Sequence, residues 1–159
     1  MNKTFGVAMA LSALLLTSNP AEAASRLTPQ DMADIQQLYA RYNFAIDTGD
    51  AAGWADTFTP DGVFAGRFTG REALMGFIKL WREKLGGANR RHWNSNLTLS
   101  PTPQGAHGAV YLMLLDVGAK PTGIASTGTY SDELVKTANG WRFKSRAVNN
   151  DAPAAAPTN

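Results

Sequence analysis

At Gly86-Gly87 the chain changes its hydrophobic period. Before this point apolar side chains recur every three or four residues, and after it they alternate. The first pattern gathers them along one side of a helix and the second along one face of a strand. Met32, Ile35, Leu38, Tyr39, Tyr42, Ala45 and Ile46 predict a first helix, opened by Thr28-Pro-Gln-Asp31 and ended by Gly49. Asp50 can cap a short second helix carrying Trp54 and Phe58, and Thr59-Pro-Asp-Gly62 reads as a turn. VFAG (63–66) predicts a short strand. Thr69-Gly-Arg-Glu72 reads as another capping box, for a helix with Leu74, Phe77, Ile78, Trp81 and Leu85 on its buried stripe. RRHWNSNLTLS (90–100), GAVYLMLLDVG (108–118), IASTGTYSDELVKT (124–137) and GWRFKSRAV (140–148) predict four strands, with a hairpin turn at Ala138-Asn-Gly140. Helices followed by a meandering antiparallel sheet predict an α+β fold, its helices packed on one face of a curved sheet.

The ends read differently from the middle. Lys3, the 12-residue apolar run FGVAMALSALLL (5–16), Pro20 and Ala21-Glu22-Ala23 form the pattern of a cleaved secretory signal over residues 1–23. Twelve apolar residues are too few to span a bilayer, so no membrane anchor is expected after cleavage, and a periplasmic or secreted location is. Residues 24–150 then make a single domain, and DAPAAAPTN (151–159) a disordered tail. There is no cysteine, so packing rather than disulfides must hold an exported domain together. The formal charge of +2 comes from interspersed basic and acidic residues, without the continuous basic stripe that nucleic acid would select.

RRHWNSN (90–96) raises the chemical question. On a strand, His92, Asn94 and Asn96 share one face, an unusual row of imidazole and carboxamides before an apolar LTL. Spacing alone leaves open whether that row meets water or a cavity. Metal binding has little support, because the two histidines lie 15 residues apart and no cysteine exists. No phosphate loop and no G-x-S-x-G elbow is present, so a cofactor-independent site is the expectation.

Four phrases, in order, resemble the SnoaL-like branch of the nuclear transport factor 2-like superfamily. AIDTGDAAGWADTFTPDGVF (45–64) resembles D-x-x-D-x-x-x-W-x-x-x-F-x-x-D-G, and TGREAL (69–74) resembles a G-x-x-x-L/I helix opening. RRHWNSN resembles R-H-x-x-x-N, and GTYSDELVKTANGWRFKSR (128–146) resembles G-x-Y-x-D-x-x-x-x-x-x-x-G-W-R-F-x-x-R. The resemblance runs from about Pro29 to Val148. It implies a cone, in which a curved sheet and the helices enclose a deep apolar pocket with His92 and its asparagines facing inward.

The resemblance also implies roles. In the related scytalone dehydratase an aspartate at the end of the first helix orients a strand histidine; Asp47 and His92 occupy the matching positions. A carboxylate on one ring nitrogen fixes the tautomer and raises the basicity of the other. Tyr42, one turn before Asp47, is a candidate hydrogen-bond donor to a developing oxyanion. Tyr39 reads as core with its hydroxyl at the rim. Asn96, Asn94 and Tyr130 are candidate substrate contacts, and Trp54 a candidate pocket aromatic. Asp132 is expected to pair with Arg146, which could alternatively clamp a ligand carboxylate or phenolate. The dehydratase's other histidine has no counterpart, since His107 reads as a loop residue. VFAGRF lacks the strand carboxylate of ketosteroid isomerase. The expected activity is a cofactor-independent acid–base lyase on a hydrophobic aromatic small molecule, by dehydration or retro-aldol-type loss of a small aldehyde. The alternatives are an isomerase, an epoxide hydrolase, or a non-catalytic ligand-binding or assembly module. The apolar outer face of YLMLLDV (111–117) suits a homodimer or a higher homo-oligomer.

Overall fold

The structure is a computed structural model that describes residues 26–151; the predicted signal segment and residues 152–159 of the predicted tail lie outside the described residues. Its elements are α1 (Pro29–Thr48), α2 (Ala51–Ala55), β1 (Phe58–Phe64), β2 (Phe68–Thr69), α3 (Gly70–Lys84), a 3-10 turn (Gly87–Asn89), β3 (Arg90–Thr102), β4 (Gly105–Asp116), β5 (Gly123–Thr137) and β6 (Gly140–Asn150). One six-stranded sheet runs in the order β2-β1-β6-β5-β4-β3. All neighbours are antiparallel except β1 and β6, which run parallel. This is the expected α+β architecture, with an unclosed sheet whose edges are β2 and β3.

Local chemistry sets the helix ends. Thr28 and Asp31 form the full capping box at the start of α1, and Gly49 closes the helix at φ 79, a left-handed conformation that favours glycine. Asp50 caps α2 by accepting from the Gly53 N–H at 2.9 Å. Thr69 stands at the N-cap of α3 but makes no side-chain cap, so the second capping box does not form. Of the predicted stripe on α1, Met32 is exposed while Ile35, Leu38, Tyr39, Tyr42, Ala45 and Ile46 are buried. On α3, Leu74, Phe77 and Ile78 enter the core; Trp81 and Leu85 turn to a cavity instead.

Three corrections concern the strands. Thr59-Pro-Asp-Gly62 is not a turn between elements but an irregularity inside β1, where the pairing with β6 shifts register between Phe58 and Val63. That places Phe58 on β1 rather than on α2. His107 lies on β4, opposite Glu133, and not in a loop. A bulge between Ser95 and Thr98 puts Asn96 at φ 58 and breaks the alternation of β3. His92 and Asn94 share a face, but Asn96 leaves it, and Leu97 and Leu99 take the inner side.

Asp31 does more than cap. Its carboxylate also accepts from Lys136 Nζ at 2.7 Å and Trp141 Nε1 at 3.0 Å, tying the start of α1 to the β5–β6 hairpin. Lys136, then the Thr28 hydroxyl, hold its carboxyl well below the usual carboxylate range. A depressed carboxyl stabilises the fold above its unfolded-state pKa of about 3.9, and the contribution fades as pH falls below that value. Asp31→Asn should therefore lower the melting temperature at pH 7, and the gap to wild type should narrow between pH 5 and pH 2. Thermal melts across that range would expose the opposite trend.

Candidate active site

The inner face of the sheet is organised in cross-strand rows. Gly108, Asp132 and Arg146 pair in one row; Val110, Tyr130 and Val148 in the next; Leu112, Gly128 and Asn150 in a third; and His92, Leu114 and Ser126 in a fourth. Helices α1 and α3 and the β1–β2 turn close over these rows. Between them lies a cavity of about 260 Å³. Its walls are mostly apolar and aromatic, including Ile46, Phe64, Phe68, Phe77, Trp81 and Leu112. The polar side chains that reach it are His92, Ser126, Tyr130, Asn150 and Arg67.

His92 and Asp47 come together as expected. Asp47 Oδ1 lies 2.6 Å from His92 Nδ1, and Oδ2 accepts from the His92 backbone N–H at 3.0 Å. Both side chains are nearly enclosed, at 4% and 10% exposure. The last turn of α1 thus grips the first residues of β3 through a single carboxylate. Arg82 of α3 donates to the Asp47 carbonyl at 3.2 Å, which fixes the helix end that carries the carboxylate. A carboxylate only accepts, so Nδ1 carries a proton, and in the neutral imidazole the lone pair then lies on the other ring nitrogen, Nε2. Nε2 has no hydrogen-bond partner among the described residues, and the ring lines the cavity.

The tyrosine that reaches the cavity is Tyr130, not Tyr42. Tyr42 is fully buried beneath it, its ring perpendicular to the His92 imidazole at 6.4 Å and 6.0 Å from the ring of Tyr130. Among the described residues the Tyr42 hydroxyl has no hydrogen-bond partner, and burial pushes it up to about 12. Burial likewise raises the Tyr130 hydroxyl above the usual phenol range, so it stays protonated at neutral pH and remains a donor.

Arg146 is not a cavity residue. Its guanidinium is completely buried and pairs bidentately with Asp132, at 2.7 Å for each of two N–H to oxygen contacts. The Tyr39 hydroxyl donates to the same carboxylate, so it is a working part of the core rather than a rim group. Four rings surround the cation: Phe143 at 4.1 Å, Tyr42 and Tyr130 at 4.2 Å, and Tyr39 at 4.7 Å. The expected Asp132–Arg146 pair is present, and it excludes Arg146 from clamping a ligand.

Trp54 also belongs to the core, behind the cavity wall, with ring centroids 5.1 Å from Phe64 and 5.5 Å from Phe77. Asn94 donates to the Tyr111 carbonyl at 3.2 Å and lines a separate shallow groove with Asn96, Tyr39 and Asn43. Neither asparagine reaches the main cavity. Ser126, Asn150 and Arg67 were not anticipated. Ser126 was within reach, since it lies an even number of residues before Tyr130 on the same strand. Asn150 was masked by a shift in β6 pairing between Phe143 and Ser145, and Arg67 by a turn whose direction the sequence does not reveal.

Comparisons with known proteins agree with this fold. A protein from Novosphingobium aromaticivorans, solved as a nuclear transport factor 2-like protein with a cystatin-like fold, superposes with a TM-score of 0.69 at 22% identity over 79% of this chain and 85% of that one. A protein from Catenulispora acidiphila, solved in complex with S-DNPA, is 30% identical with a TM-score of 0.67 over 77% of this chain and 95% of that one. A candidate scytalone dehydratase, also from Novosphingobium aromaticivorans, is 25% identical with a TM-score of 0.62 over 77% of this chain and 85% of that one. No curated protein matches the chain. The SnoaL-like domain model matches residues 28–147, and the chain belongs to that family.

Proposed function

We propose that the protein is a cofactor-independent lyase acting on a hydrophobic aromatic small molecule, with His92 as the proton-transfer group and Asp47 as the residue that orients it. The observation that carries this reading is the 2.6 Å Asp47–His92 contact at the wall of an apolar cavity. Nε2 would remove a proton from carbon beside a carbonyl, or from a β-hydroxyl group. Tyr130, the protonated phenol on the same cavity wall, would donate to the carbonyl oxygen as negative charge develops there. In dehydration the imidazolium then returns its proton to the departing hydroxyl, and water leaves. In the retro-aldol case the carbon–carbon bond breaks, a small aldehyde departs and the enolate is reprotonated. The similarity to a candidate scytalone dehydratase and to a protein solved with a small molecule supports this class of substrate.

The reading includes export, from the signal-like segment at residues 1–23, and a homodimer. On the outer sheet face Trp93 and Tyr111 are 63% and 58% exposed beside Met113, an apolar patch suited to a second copy. A solution mass equal to one chain would refute the dimer.

The test is a turnover screen against hydroxylated diaryl and polyketide-like aromatics, with EDTA present, read by mass spectrometry. Loss of about 18 or about 30 mass units is expected, weakened by Tyr130→Phe and not by Tyr42→Phe. No mass change with any compound, while ligands still raise the melting temperature, would replace the lyase by a ligand-binding module.

A further inference from the structure

The cavity is apolar but not neutral. Among the described residues no acidic side chain lines it, and one permanent cation does: Arg67. Among the described residues Arg67 enters no ion pair, unlike Arg71, Arg90 and Arg146. Its backbone is not free to wander. Ala65 and Gly66 turn the chain at φ 52 and φ 68, the Arg67 N–H donates to the Phe64 carbonyl at 3.2 Å, and the Ala65 N–H donates to the Arg146 carbonyl at 2.8 Å. Ala65 holds a left-handed conformation that a side chain ordinarily resists, so the surrounding strands over-determine this turn. The guanidinium lies over the ring of Phe68, 4.8 Å from its centroid, and Phe68 lines the cavity too. A rigid turn therefore presents an uncompensated cation at an aromatic wall, in the same cavity as the carboxamide of Asn150 and the hydroxyl of Ser126.

We infer that the cavity selects ring-bearing acids: an aromatic or fused-ring body among Phe64, Phe68, Phe77 and Trp81, with a carboxylate held by Arg67. Guanidinium matches a carboxylate in shape as well as charge, and a neutral isostere gains neither. This inference rests on the reading of the cavity as the substrate site and narrows the substrate to an anion. It does not depend on turnover.

The test is calorimetric titration of the purified protein with 2-naphthoate and with 2-naphthamide, the uncharged isostere, at pH 8. Naphthoate should bind about tenfold more tightly, a margin that shrinks as salt is raised. Arg67→Gln should remove most of that margin with an unchanged melting temperature, since the side chain is exposed, and Arg67→Lys should keep part of it. Equal affinities in wild type, or no binding of either probe, would overturn the inference. So would a preference that survives Arg67→Gln and disappears in His92→Gln, because the imidazole would then be the anion's partner. A cavity that selects the anion yet turns over nothing would sink the lyase and leave the anion site standing.

Discussion

His92→Gln is expected to lower kcat by about 10²–10⁴-fold, the span typical of a lost general base, with KM changed far less. The fold should survive. Asp47 keeps the His92 backbone N–H at 3.0 Å, so its carboxylate is not stranded when the ring goes. Asp47→Asn makes the sharper test. An amide in the same place still accepts from the backbone but can present an N–H to Nδ1. The imidazole then takes the opposite tautomer, and Nε2 meets the substrate as a donor instead of an acceptor. Its loss of kcat should approach that of His92→Gln, and the double variant should be little worse than either alone. Additive losses would show that the two residues act separately, and an active Asp47→Asn would end the dyad.

Asp132→Ala should destabilise the domain by about 3–5 kcal/mol, because it leaves the Arg146 guanidinium in the core without a counter-ion. That corresponds to a fall in melting temperature of roughly 10–20 °C for a chain of this size. The Tyr39 hydroxyl loses its acceptor in the same step. Replacing both charges, as Asp132→Leu with Arg146→Met, should recover a large part of the loss, since no buried charge is then left alone. A single variant that melts like wild type, or a double variant as unstable as the single ones summed, would contradict this account. The surrounding rings of Tyr39, Tyr42, Tyr130 and Phe143 make Arg146→Ala costly for a second reason: the void it opens lies directly behind the cavity wall at Tyr130.

The Asp47–His92 pair was legible through the resemblance to the SnoaL-like branch, and the element boundaries that seat the two residues are strongly punctuated. Gly49 ends α1 just after Asp47, and Gly86-Gly87 resets the chain just before His92. Side chains farther from such marks were misplaced. Asn96 follows the period-two rule on paper, but one inserted residue in β3 turns it off the face, and no residue type there signals the bulge. Tyr42 and Tyr130 were both plausible pocket residues, since period identifies the inner side of an element but not its depth. The sheet rows decide it, with Tyr130 in front and Tyr42 behind. Arg146 illustrates the reverse ambiguity. A cation opposite Asp132 is a core pair when aromatic rings shield it and a ligand clamp when they do not, and that shielding involves residues from three separate elements.

The parallel pairing of β1 with β6 has a consequence for how the molecule is made. Phe58 through Phe64 lie beside Phe143 through Arg146, so apart from the two-residue β2 the strand β1 finds its sheet neighbour only at the end of the chain. The cavity wall at Phe64 and the turn that carries Arg67 are seated on that last strand. No nascent fragment that lacks residues 140–150 can complete either the sheet or the cavity. Such long-range closure predicts slow folding from a late start, because the loop entropy is spent before the contacts that offset it exist. Deleting β6 should leave an unfolded chain and not a smaller domain, and refolding should proceed as one late, cooperative event.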